Sequence, residues 1–219
     1  MPPLRRAKLI SVSLQFHLEE AWITMPKPYT VGIAGGSAAG KSTLCQQLEN
    51  ALTGHKLAVF HMDNYFKPAS KRPYVPAPIT KKMYLDDNHP TTVDLAQLKQ
   101  DLATAISKAD ADIIIVEGLL TLHDDEICEM LDLKLYVECR PDERVVRRIK
   151  RNMARGLTFD EISDVYLDMV RYRHDEYVEP SKWKADLIIN GSQFSDKGLV
   201  VIVREISCHA SNTYPLENY

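Results

Sequence analysis

The stretch Thr30–Thr43, TVGIAGGSAAGKST, decides how this chain is read. Thr30 to Ala34 is a short apolar run with strand character, and a helical pattern starts at Lys41. Between them, Gly35–Thr43 satisfies G-x-x-x-x-G-K-[ST] in the strand-to-helix setting that the motif requires. Gly35, Gly36 and Gly40 let the backbone turn sharply around Ser37, Ala38 and Ala39, so that successive N–H groups point inward at the positive end of a helix. Such a loop cradles phosphate oxygens. Lys41 would reach the outer phosphates, Ser42 would offer its hydroxyl to Mg²⁺, and Thr43 would support the inner phosphate. No N-K-x-D element reads guanine, so ATP is the expected donor.

Working outward, short β-rich runs alternate with longer helical patterns, which argues for βαβ units and a parallel sheet. Strands are expected at Thr30–Ala34, Leu57–His61, Asp112–Glu117, Leu133–Glu138, Ala185–Asn190 and Leu199–Arg204. Several are near-continuous apolar runs, the pattern of strands covered on both faces. Helices are expected at Lys41–Leu52, Val93–Lys108, Asp125–Leu131, Pro141–Met153 and Phe159–Val178. In the last, Phe159, Ile162, Val165, Met169 and Tyr172 recur at helical spacing behind a Thr158/Glu161 capping box. The Pro-rich stretch Lys67–Pro90 has no periodicity and reads as a long functional or mobile loop. Met25 stands just before the first strand, so residues 1–24 read as an extension, 25–206 as the folded domain and 207–219 as a tail.

At 219 residues, with 27 basic and 30 acidic side chains, the chain is a globular protein of net charge −3, with no global attraction to nucleic acid or an anionic membrane. No apolar run approaches the roughly 20 residues of a membrane span. The run Leu9–Phe16 follows Arg5, Arg6 and Lys8 but carries Ser11, Ser13 and Gln15 and lacks a cleavage site, so it is not a signal peptide. Cys45, Cys128, Cys139 and Cys208 form no metal or disulfide spacing, which fits a reducing cytoplasm. The expected partner is a small molecule, with a homo-oligomer left open.

In open α/β sheets ligands bind beyond the carboxyl ends of the strands, where Asp63 and Glu117 both fall. Glu117 could hold Mg²⁺ directly or through water. Asp63 could accept the proton of an attacking hydroxyl, the plainer alternative being an Asx-turn or a helix cap.

Beyond Gly35–Thr43, the runs HMDNYFKP (61–68), NHPTTVD (88–94), IIIVEGLL (113–120), DERVVRRIKRN (142–152) with Arg155-Gly156, and HDEYVEPSKWKADLIING (174–191) resemble the uridine kinase and phosphoribulokinase family of P-loop kinases. The resemblance spans about residues 29–191 and implies a three-layer α/β/α fold around a parallel sheet, with a helical lid at about 152–160. It also implies ATP-dependent phosphorylation of a small-molecule hydroxyl, foremost the 5′-hydroxyl of a nucleoside. On the matching positions, Asp63 resembles the catalytic base, Ser42 and Glu117 the magnesium-side groups, and Tyr65 a substrate contact. His89 and Pro90 match a His-Pro pair beside the ribose, the plainer reading of His89 being a turn histidine bonded to backbone. Arg148, Arg151 and Arg155 match basic residues leading into the lid. Positions 148 and 151 share a helix face, from which they could converge with Lys41 on the transferring phosphoryl group or pair with Asp142 and Glu143 as surface charges. Arg147 and Lys150 read as surface charges.

Three departures bear on the acceptor. Asn88 stands where an aspartate usually precedes the His-Pro pair, so a ribose carboxylate is displaced to Asp87 or absent. The base-contacting β-hairpin expected before the strand ending at Glu117 has no room between Leu98 and Ile113. The lid is one residue short between Arg151 and Arg155, and Leu157 replaces a common arginine. Alternative acceptors are therefore nicotinamide riboside, a sugar or sugar phosphate, glycerate or pantothenate. A P-loop ATPase acting as a switch or assembly factor is the alternative from another class.

Overall fold

The computed structural model describes residues 27–211. The expected extension 1–24 and the last residues of the expected tail, 212–219, lie outside the described residues. Five strands, β1 (Tyr29–Gly35), β2 (Leu57–His61), β5 (Ile113–Glu117), β6 (Leu133–Glu138) and β7 (Leu187–Asn190), form one parallel sheet in the order β2-β5-β1-β6-β7. All five residues of β5 are buried, as a strand covered on both sides requires.

Alternate residues of the sheet feed two cores. On one face Val31, Ile33, Ile113, Ile115, Leu135 and Val137 pack against α1 (Lys41–Ala51) and α7 (Asp196–Ala210). On the other, Ala34, Ile114, Val116 and Tyr136 meet α2 (Leu95–Lys108) and α3 (Asp125–Glu129). The result is the three-layer α/β/α arrangement the sequence implied. Among the described residues no helix is long and apolar enough to cross a membrane. Among the described residues, Cys45, Cys128 and Cys139 are free thiols.

Two expectations are corrected. Leu199–Arg204 is not a strand but part of α7, capped by Ser195, whose hydroxyl accepts from the Gly198 N–H at 3.2 Å. The run LVVIV reads equally as a strand, but only a helix brings Leu199, Ile202, Val203 and Ile206 onto one face against α1. That helix runs through position 207, so residues 207–210 are helical and not part of a tail. The Pro-rich stretch is not wholly irregular either, because β3 (Tyr74–Pro76) and β4 (Met83–Leu85) pair antiparallel across a turn with Lys81 at φ +61°. Proline at an edge costs such a ribbon nothing. Only residues 109–112 separate α2 from β5, so no hairpin stands there.

After α4 (Pro141–Met153) the chain turns at Gly156 into α5 (Phe159–Val165), opened by the Thr158/Glu161 capping box. The helix continues through Tyr166–Val170 and His174–Val178, both π-wound, on either side of α6 (Arg171–Arg173). The ribbon rests on this helix: the Thr80 and Tyr84 hydroxyls both donate to Asp168, at 3.0 and 2.8 Å.

Candidate active site

The carboxyl ends of β1, β2 and β5 deliver the loop of glycines, Asp63 and Glu117 to one edge of the sheet. Gly35, Ala38 and Gly40 all have positive φ, and this alternation turns the backbone N–H groups of the loop inward. Gly40, at φ +112°, closes the loop beneath Phe194, whose ring carbons stand 3.0 and 3.1 Å from where a Cβ would be. Gly40→Ala is expected to cost about 1–3 kcal/mol of stability, read as a lower unfolding midpoint; an unchanged midpoint would count against this strained turn.

A cleft of about 620 Å³ opens over the loop, lined by Ala38, Gly40, Lys41, Ser42, Thr43, Asp63, Arg151 and Arg155 from the expected set. Lys41 donates to the Gly36 carbonyl at 3.1 Å. Burial pushes its ammonium below the ordinary range, while Glu117 and then Asp63 draw it back up. The Ser42 hydroxyl faces both Glu117 carboxylate oxygens, at 3.2 and 3.4 Å, and His61 Nδ1 lies 3.1 Å from Oε1. This is an all-oxygen pair, with the carboxylate buried, and it suits a hard cation. Asp63 is exposed at the rim in a short 3₁₀ turn, and among the described residues its carboxylate has no hydrogen-bond partner. The Asx-turn and cap readings therefore find no bond to support them.

Arg148 and Arg151 pair with neither Asp142 nor Glu143. Both reach the Ser37 hydroxyl, from NH1 at 2.9 Å and NH2 at 3.3 Å. Burial first, then repulsion from the neighbouring arginine, lowers both guanidinium pKa values. Two concentrated, partly desolvated cations above a phosphate-type loop are poised for an anion.

The expected acceptor residues divide. Asn88 faces Ser37 across a small pocket, and Asp87 pairs with Arg72 at 3.0 Å while helping to hold the charge on Arg148. His89 caps the turn Pro90–Thr92, with Nδ1 accepting from the Thr91 N–H at 3.2 Å, so the backbone-bonded reading holds for that nitrogen. Tyr65 donates its hydroxyl to Asp101 of α2 at 3.0 Å, and burial with that bond pushes its pKa up to about 12. Its ring also packs against the core on the α2 side of the sheet.

Several residues of the site were not legible beforehand. Arg147, read as a surface charge, lines the cleft and donates to the Gly191 carbonyl at 2.8 Å. Gly191, Ser192 and Phe194 complete the cleft from the far end of the chain. Gly191 directly after β7 was the available signal, since a side chain there would strike the Ala39 carbonyl. Arg144 is buried beside Gly36 and donates from Nε to the Cys139 carbonyl at 3.1 Å.

The profile of the phosphoribulokinase / uridine kinase family matches residues 80–196. Over 204 residues the chain is 31% identical to the uridine kinase of Bacillus cereus (strain AH187), covering 83% of this chain and 94% of that protein. The uridine kinase of Bacillus thuringiensis (strain Al Hakam) matches at the same identity and coverage. Among solved structures, the phosphoribulokinase of Rhodobacter spheroides is similar in fold, with TM-score 0.58 at 14% identity over 75% of this chain and 70% of that one. The family profile falls on the segment that carries Asn88, Glu117 and the arginines of α4, and the chain belongs to the phosphoribulokinase / uridine kinase family.

Proposed function

We propose that this protein is an ATP-dependent kinase that transfers the γ-phosphate to a primary hydroxyl of a small molecule, the 5′-hydroxyl of a nucleoside. The observation that carries the reading is the convergence of Lys41, Ser42, Asp63, Arg151 and Arg155 on one cleft over the glycine loop. Asp63 takes the proton of the acceptor hydroxyl as its oxygen forms the bond to the γ-phosphorus and the bond to the ADP oxygen breaks. Lys41 and the arginines Arg148, Arg151 and Arg155 neutralise the charge spread over the equatorial oxygens. Ser42 and Glu117 fit Mg²⁺ by their oxygen donors, and the ion, when bound, supplies further neutralisation of the phosphate oxygens. Family membership and relatives named uridine kinase support a nucleoside acceptor. The missing hairpin before β5 favours testing other acceptors beside it.

The test is ADP release with MgATP across nucleosides, nicotinamide riboside, sugars, sugar phosphates, glycerate and pantothenate. Stimulation by uridine or cytidine is the expected result. Stimulation by another member alone moves the acceptor assignment to it, and acceptor-independent hydrolysis alone would favour an ATPase switch.

A further inference from the structure

The helix that follows the lid presents Tyr166, Val170, His174 and Val178 along one face, and these four close a small pocket against Ser37, Asn88, Leu119 and Arg144. Both π-wound stretches among the described residues lie in this helix, beginning at Tyr166 and at His174. Such windings widen the turn and recur at functional sites. The pocket measures about 10 Å³, room for a single hydroxyl or one water.

His174 is the residue in this wall with an unmet bond. Its Nε2 donates to Glu179 at 3.2 Å. Glu179 is itself held by Lys182 and accepts from the Tyr136 hydroxyl at 3.4 Å. A donor at Nε2 leaves Nδ1 as a bare acceptor. That nitrogen is buried and has no hydrogen-bond partner. The same side chain also borders an open cleft of about 680 Å³ with Glu179 and Arg140.

We propose that His174 reads the acceptor: with Nε2 fixed by Glu179, Nδ1 accepts a hydrogen bond from an acceptor hydroxyl inserted between Ser37 and Asn88. Burial, reinforced by the nearby Arg144 cation, pushes the pKa of His174 down to about 4, so the ring is neutral at pH 7 and the lone pair is available. Glu179 is then a positioning residue that sets the tautomer. The hydroxyl lies next to the Ser37 oxygen that Arg148 and Arg151 hold, in a pocket whose lining shares no residue with the cleft over the loop. An acceptor lacking that hydroxyl leaves Nδ1 buried and unpaired, which is how a site discriminates against the analogue.

The inference rests on the nucleoside reading above, and uridine is the probe. His174→Leu is expected to raise the KM for uridine about tenfold while leaving the KM for ATP unchanged. His174→Asn sets an amide oxygen where Nδ1 stands but cannot reach Glu179, and it is expected to keep the uridine KM close to wild type. A purely structural role predicts the reverse grouping, with both variants equally impaired in unfolding midpoint and neither altered selectively in uridine KM; that result would overturn the proposal. Should His174→Leu not fold, His174→Phe refills the ring volume without an acceptor and carries the same expectation. If wild-type protein shows no uridine-stimulated ADP release, the nucleoside reading and this inference fall together. Wild-type activity with uridine alongside an unaltered KM in His174→Leu overturns the inference alone.

Discussion

Asp63→Asn is expected to lower kcat by about 10²–10⁴-fold while ATP affinity stays within about twofold of wild type. The amide has the shape of the carboxylate but cannot take a proton. Nothing else is lost, because among the described residues the Asp63 carboxylate holds up no hydrogen bond. It also favours the charged forms of Lys41 and Arg151. Lys41 retains Glu117 and its bond to the Gly36 carbonyl, and Arg151 retains its bonds to Ser37 and Asn152. Single-turnover kinetics with a panel acceptor, paired with a nucleotide-binding titration, separate the two quantities. Near-normal turnover would remove Asp63 from the base role, and lost ATP binding would assign it to the nucleotide instead.

Asp86→Ala is expected to destabilise the fold by about 3 kcal/mol, since removing one member of a buried pair strands the other. Asp86 is fully buried, receives Arg173 Nε at 2.6 Å and accepts from the Asn88 N–H at 3.0 Å. Arg173 lies on α6 with a side chain only 16% exposed, leaving Glu176, at 2.5 Å, as its remaining acid. This pair is what fastens the segment carrying Asn88 and His89 to the helix carrying His174. Chemical denaturation should show a lower midpoint with an unchanged slope. Asp86→Asn, which keeps an acceptor for the Asn88 N–H, should lose less. A loss below about 1 kcal/mol for Asp86→Ala would mean the arginine finds water or another acid.

The parts legible in the sequence are those whose chemistry is local. Gly35–Thr43 is contiguous, and its flanking strand and helix follow from short-range pattern, so the loop, Lys41 and Ser42 stand where expected. Asp63 and Glu117 were legible through the rule that strand ends carry sites. Leu199–Val203 was not, because five consecutive apolar residues fit a buried strand and a packed helix alike. The ribbon at Tyr74–Leu85 was hidden by prolines that remove the usual strand signal. Arg147 and Lys150 look identical in composition, and only the placement of β7 beside β6 turns one toward Gly191 and leaves the other in solvent. Asp86 and Asp87 are neighbours in sequence with opposite fates, one buried against Arg173 and the other turned to Arg72. No local pattern distinguishes them. His174 was quoted within a motif, yet its bare nitrogen depends on Glu179, Ser37 and Asn88 meeting in space.

The seat of Phe194 against Gly40 gives the fold a schedule. A ribosome emits the glycine loop early and the phenylalanine late, along with Ile202 and Ile206, which cover the underside of the first helix. During translation, at about 5–20 residues per second, the loop therefore exists for many seconds as a phosphate cradle without Phe194 over Gly40. Nascent chains halted before α7 should expose Leu44 and Leu48 to chaperones, and triphosphate capture should begin only once α7 has left the tunnel.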